Sequence, residues 1–426
     1  MLGSLQQAFK VGDLKQKVLF TLLMFAVFRL GVHIPVPGIN PDALSELLKN
    51  QFLGFFDVIS GGAFKRFSIF AMSITPYINA SIIMQLLTVV IPKLEQLNKE
   101  GEEGRKKIAQ YTRYGTVILG FIQAIGIAIA LGRYRGAGGM LVIENPGIVS
   151  YLVIAIVLTA GTALLMWIGE MITEKGIGNG ISLIIFAGIV ARIPSGIVGI
   201  FEYLRAGTVN YFNVLLFIVI ALAMIAAVVA LNEGQRRLPV QYAKRVVGRK
   251  VYGGQSTFLP LKVNTAGVIP IIFAMSIMMF PATIGSWFPN SAFKNFMDTY
   301  FHFGSVLYNV IYALLIIFFT FFYTAVIFNP MDVADNIKKY GGFVPGIRPG
   351  RPTAEYIDKV LGRLTLVGGV FFAFVAILPN FVIALTGLTN VWFGGTALLI
   401  VVGVALDTMK QIEAHLLLRS YEGFVK

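Results

Sequence analysis

FFDVISGGAFKRFSIFAMSITPYINASIIMQLLTVV, residues 55–90, is an apolar stretch of 36 residues interrupted by Gly61-Gly62, Lys65-Arg66 and Pro76. As one helix rising about 1.5 Å per residue it would run roughly 54 Å, against a hydrocarbon core of about 30 Å. A single crossing is therefore excluded. The breaks predict a short helical piece that enters from one face, then a full span from about Ser68 to Ile91. Irregular backbone at membrane depth survives only where protein or water surrounds it. The stretch is thus expected to line an internal cavity, as in a channel or a transporter.

Composition points the same way. Hydrophobic residues make up 56% of the chain and charged residues 13%, with a mean hydropathy of +0.77. Soluble domains carry roughly 25% charge. With no cysteine among 426 residues, disulfides, thiolate catalysis and cysteine-metal sites are excluded. The basic N-terminus (Lys10, Lys15, Lys17) and the apolar run after it resemble a cleaved targeting peptide in outline. Arg29 closes the run, and no small-x-small cleavage site follows, so the run is read as the first span.

Working outward, hydropathy predicts ten spans, over residues 18–35, 68–91, 114–132, 149–169, 181–200, 213–231, 264–288, 305–328, 361–378 and 394–416. Lysine and arginine collect at the two termini and in the turns after even-numbered spans, which hold 24 of the 35. Cytoplasmic segments carry that excess, so both termini are expected inside and the broken segment enters from outside. Five spans fall in residues 1–200 and five in 201–426. An odd number per half inverts the second half relative to the first. The expected fold is an all-α membrane protein of ten transmembrane helices in two inverted five-helix halves.

Two cytoplasmic loops, 232–263 and 329–359, are far longer than the usual connection of about 4 to 6 residues. The first is basic and alternates apolar residues at Leu238, Val240 and Tyr242, which predicts a hairpin. In the second, Pro345, Gly346, Pro349, Gly350 and Pro352 predict a rigid, non-helical tip. Plain positive-inside bias needs no long loops, so a docking platform for a large RNA-containing or acidic partner is expected beside anionic lipid contact.

Little in the chain suggests catalysis. GIGNGIS, residues 176–182, lacks the strand-helix context and the GK[ST] of a phosphate loop, and His33, His302 and His415 lack ligand spacing. Neither an enzyme, a cofactor nor a metal is expected. The ionisable residues Arg29, Glu170, Arg192, Glu202 and Asp407 lie mostly toward span ends, which argues against ion coupling. An ion-coupled transporter of a small solute stays open as the alternative, and so does a scaffold that only docks partners. Ile74, Ile78, Ser81, Ile82 and Gln85 form one helical stripe, which ordinary helix packing would also produce.

The stretches FRLGVHIPVPGI (28–39), ITPYINASIIMQLL (74–87), EGEEGRKKIAQYTRYGT (100–116), WIGEMITEKGIGNGISLIIFAGI (167–189), GQRRLPVQYAKR (234–245), STFLPLKVNTAGVIPIIFA (256–274) and FVPGIRPGRPTAEYIDKVLGRLTLVG (343–368) occur in this order. On them the chain closely resembles the SecY family, channel subunits of bacterial protein translocation. The resemblance implies an hourglass pore between the halves, a passive conduit for unfolded polypeptides that also releases apolar segments sideways into lipid. It implies a ring of aliphatic side chains at the waist: Ile74, Ile78, Ile185, Ile272 and Ile400. A re-entrant plug helix over about 55–67 follows by the same carry-over, with Phe55, Phe56, Asp57, Gly61, Gly62 and Phe64. The second and seventh spans resemble a lateral gate, with Asn79, Ser81, Gln85, Asn264 and Thr265 as its polar residues.

Arg348, Arg236, Arg237, Lys244 and Arg245 would face the SecA motor ATPase and the ribosome. SecE and SecG subunits, signal sequences, nascent polypeptides and lipid complete the implied partners, at the bacterial cytoplasmic membrane. The plug segment matches the family less closely than the gate spans, and the tail after the tenth span is short.

Overall fold

The computed structural model describes residues 11–40, 43–44, 60–133, 141–242, 245–247, 250–252, 256–287, 292, 296, 299–301, 305–386 and 395–425. Within them a helix stands at each of the ten predicted spans. In the first half these are α1 (Gly12–Gly31), α2 (Thr75–Val90), α3 (Pro92–Lys99), α4 (Glu102–Arg133), α5 (Ile148–Lys175), α6 (Gly180–Val190) and α7 (Ile193–Arg205). The second half contains α8 (Tyr211–Glu233), α9 (Ile269–Trp287), α10 (Val306–Ile327), α11 (Pro330–Lys339), α12 (Arg351–Thr386) and α13 (Gly395–Val425). Seven helical segments, α6 and α7 counting as one, are long and apolar enough to cross a bilayer, and an eighth is if α2 and α3 are joined across their 99° bend. Of the others, α1 carries four charges, and α9 is an uncharged helix with Pro281 inside it.

Boundaries move where turn chemistry overrides hydropathy. The second span starts at Thr75 rather than near Ser68, because Ser60–Ile74 is a run of turns. Phe67 and Ser73 stand at φ of 41° and 53°, outside helical space, and Pro76 in the first turn of α2 sets its start. Of the expected plug helix, residues 55–59 lie outside the described residues and 60–67 is turn rather than helix. The fifth span divides at Ala191-Arg192 into α6 and α7, with Pro194 opening α7. Pro352 is not part of the loop tip. It occupies the first turn of α12, where its missing N–H costs nothing.

Helices before Arg205 and after Tyr211 meet along two seams. On one side α9 packs against α2 and α4; on the other α13 packs against α6. Between the seams lies the largest buried apolar cluster, built from α1, the turn segment, α2, α5, α6 and most of the second half.

The predicted hairpin is present. Strand β1 (Gln235–Tyr242) pairs antiparallel with β4 (Ser256–Lys262), Leu238 opposite Leu259, while β2 (Arg245–Val247) and β3 (Lys250–Tyr252) pair at its tip. A short β5 (Gly342–Phe343) pairs with the other edge of β1, so the two long loops share one sheet of order β4-β1-β5. Leu238 and Leu261 bury against Ile357 and Val360 of α12, which seats the sheet on that helix.

Candidate functional site

The centre of the molecule is a plug of branched side chains. Ile74 caps α2 and Ile78 lies one turn on; Ile185, Ile272 and Ile400 come from α6, α9 and α13. All five belong to one apolar cluster, and none is more than 4% exposed. The predicted ring residues are therefore buried in one apolar cluster to which four separate helices contribute them.

Against this cluster rests the turn segment. Ala63 and Phe70 are buried in the same cluster as the isoleucines, and Phe70 stacks on Phe28 of α1 with ring centroids 6.0 Å apart. Phe64 and Phe67 turn the other way, into a second cluster against α4 and α5. Backbone groups in this irregular stretch are satisfied locally: Val36 N–H donates to Phe67 O at 2.9 Å and Ile69 N–H to Ile34 O at 3.0 Å. The Ser60 hydroxyl accepts from Phe64 N–H at 3.1 Å. Gly61 and Gly62 both take positive φ. Of the predicted plug residues, Gly61 packs against Gly188 of α6, Gly62 lies in the same turn and Phe64 faces the second cluster, whereas Phe55, Phe56 and Asp57 lie outside the described residues.

The polar residues expected at a gate separate into two groups. On α2, Asn79 is buried, and Gln85 Nε2 reaches Ser81 Oγ at 3.4 Å while Gln85 Oε1 is buried with no partner. Asn264 and Thr265 lie before α9 begins. Asn264 Nδ2 donates to Asn232 Oδ1 at the end of α8, 2.6 Å away, and Thr265 Oγ1 donates to Lys262 O at 3.2 Å. Asn264 Oδ1 and Ser276 Oγ, on the α9 side, are also buried without partners.

On the loops, Arg236 and Arg237 are exposed on β1 and Arg348 is exposed at the tip. The Arg348 carbonyl accepts from the buried Thr353 hydroxyl at 2.8 Å, which fixes the tip to the start of α12. Lys244 lies outside the described residues, and only the backbone of Arg245, in β2, is described.

Sequence reasoning missed two features. Arg29, noted as a charge within a span, donates Nη1 to Gly61 O at 2.8 Å. An ionisable residue inside a span is itself the signal that could have found it. GIGNGIS, set aside as a phosphate loop, is a packing joint. A Cβ on Gly180 would stand 1.9 Å from Gly169 O, one on Gly176 2.5 Å from Thr21 Oγ1, and one on Gly178 3.2 Å from Thr408 Oγ1. Asn179 then caps α6 by accepting from Ser182 N–H at 3.1 Å.

Comparison with known proteins agrees with this architecture. A family model described as SecY matches residues 68–409. A protein translocase subunit SecY from Halalkalibacterium halodurans is 52% identical over 437 residues and covers 100% of both chains. Among solved structures, one concerning the plug domain of SecY, said there to stabilise the closed state of the translocation channel, has a TM-score of 0.68 at 19% identity, covering 94% of this chain and 92% of that one. Sec61 in the canine ribosome-channel complex has a TM-score of 0.63 at 18% identity with the same coverage. These two show a shared fold, and the small-solute transporter reading gains nothing from any of them. By its family match and its full-length identity, the chain belongs to the SecY family.

Proposed function

We propose that the chain is a passive protein-conducting channel that carries unfolded secretory polypeptides across the cytoplasmic membrane and releases apolar segments sideways into lipid. One observation supports the reading: Ile74, Ile78, Ile185, Ile272 and Ile400, from four helices, are all buried in one apolar cluster. Branched aliphatic side chains make a deformable, water-poor gasket, which resists ions by dewetting yet yields to a threaded chain. The segment 55–67 serves as the plug, its described part from Ser60 to Phe67 being a run of turns, and α2 with α9 form the gate. Residues 1–200 and 201–426 act as the two halves that part, with both termini on the cytoplasmic side.

No catalytic step is assigned to it; the work comes from partners. Arg236, Arg237 and Arg348, exposed on one basic sheet and loop tip, suit the SecA motor and the phosphate backbone of ribosomal RNA. The similar Sec61 fold described in a ribosome-channel complex supports that docking face. SecE and SecG are the expected companion subunits.

Single cysteines at Ile78 and Ile272 test the pore in this cysteine-free chain. An arrested secretory polypeptide carrying a thiol crosslinker is expected to reach both. Failure to reach either removes the pore assignment. Reconstituted conductance separates a channel from a docking scaffold, because deletion of residues 57–65 makes a channel leak and leaves a scaffold silent.

A further inference from the structure

We infer that Arg29 is a positioning residue that latches the plug in the resting channel; the inference rests on reading the turns from Ser60 to Phe67 as part of that plug. Arg29 stands near the outer end of α1, where an arginine in a span is costly unless it has a partner and a purpose. Its Nη1 donates to the Gly61 carbonyl at 2.8 Å, the side chain bridging elements 32 residues apart. A charged donor gives the stronger class of hydrogen bond, and a partly dry site strengthens it further.

The receiving turn is shaped for that bond. Gly61 has φ +66°, which aims its carbonyl at Arg29 and admits no ordinary side chain without strain. A Cβ there would stand 2.9 Å from the Cα of Gly188 in α6, so the turn is clamped between α1 and α6. Neighbouring residues of α1 seat the same segment. Phe28 stacks on Phe70, and Gly31 leaves the space that the Phe70 ring occupies, a Cβ there falling 2.0 Å from it. Two residues past Gly61, Ala63 is buried in the cluster that contains the ring isoleucines. Holding Gly61 therefore holds Ala63 against the waist. When a polypeptide pushes the segment outward, the Arg29 bond is the charge-assisted contact at Gly61 that must break, while the backbone bonds Val36–Phe67 and Ile69–Ile34 hold the far end of the segment and the apolar contacts can slide.

The test uses the assembled translocase in planar bilayers and compares Arg29→Met, Arg29→Lys, Gly61→Ala, the double variant Arg29→Met/Gly61→Ala and the 57–65 deletion. Arg29→Met keeps bulk and loses the donors. It is expected to raise resting conductance about tenfold, the population shift that loss of a charge-assisted bond produces, and to admit precursors with defective signal sequences. Arg29→Lys, which keeps one cationic donor, is expected to fall close to the parent. Gly61→Ala displaces the acceptor and is expected to match Arg29→Met, with the double variant no leakier than either. A leaking deletion beside a silent, folded Arg29→Met overturns the latch and spares the plug; a silent deletion overturns both. Multiplicative leak in the double variant also overturns the latch, since the two residues then act separately. If Arg29→Met does not fold, Gly61→Ala leaves the arginine in place, and silence there overturns the latch in the same way.

Discussion

The two seams through which the halves touch are built differently. Where α6 and the glycine loop meet α13, Gly178 lies against Thr408, and the same loop is anchored within its own half by close packing of Gly180 on the Gly169 carbonyl of α5 and of Gly176 on Thr21 of α1. Leu14, Ile177 and Ile412 fill the remaining space as a separate buried cluster. Where α2 faces α9 and its approach, the contact is made of side chains, and three polar atoms there, Gln85 Oε1, Asn264 Oδ1 and Ser276 Oγ, are buried without partners. A buried unpaired acceptor costs about 1–3 kcal/mol, a cost relieved as soon as water or a passing polar group reaches it. Backbone packed to contact has no comparable gain from opening. On the proposed gate, the first seam would stay shut and the second would part.

Tethering breaks or upholds this contrast most strongly. A short bifunctional linker between cysteines at Ile78 and Ile272 is expected to abolish export, while one between cysteines at Ile177 and Ile412 leaves it within about twofold, a difference well under 1.4 kcal/mol. Export blocked equally by both would mean that the halves separate on both sides. Next in size is Gly180→Ala, whose added carbon has no room beside the Gly169 carbonyl. A loss of at least about 1–3 kcal/mol is expected, read as a lowered thermal midpoint of the purified protein. Gln85→Leu, on the parting seam, should instead leave the midpoint unchanged or raise it by about 1 kcal/mol, because an unpaired acceptor disappears. A fall of similar size to that of Gly180→Ala would erase the distinction. Smallest in stability is Arg348→Glu at the solvated tip, expected within about 0.5 kcal/mol of the parent while motor-driven export drops. Unchanged motor binding and export would remove Arg348 from the docking face.

Much of the fold was legible because bilayer thickness imposes a simple length rule, and the ten expected positions each hold a helix. Hydropathy failed where an apolar segment is not helical. Residues 68–74 are as greasy as a span, yet their turns are enforced by the positive φ of Phe67 and Ser73 and by bonds to Ile34 and Val36. The ring isoleucines were legible only through family resemblance, since a stripe on α2 does not reveal what Ile185, Ile272 and Ile400 contribute from three other helices. Asn264 shows a further limit. The family resemblance marked it as a polar gate residue, but its bond to Asn232, 32 residues earlier, depends on how α8 and the approach to α9 lie side by side. The joint at Gly176–Gly180 was hidden for the opposite reason: glycine announces absence of a side chain, and what fills the space is visible only in three dimensions.

The small strand β5 has a mechanical consequence. By pairing with β1 it makes one stiff plate of two loops that are about 100 residues apart in sequence. The plate joins α8 through Glu233–Gln235, α12 through residues 344–350 and α9 through residues 263–268. The last connection has little slack, since Val263 N–H is tied to Gly234 O at 2.9 Å and Asn264 to Asn232 at 2.6 Å. A load applied by a partner at the arginine-bearing edge is therefore not absorbed in floppy chain. With α9 as one wall of the proposed gate, the load would reach that helix as torque, and the plate would work as a crank.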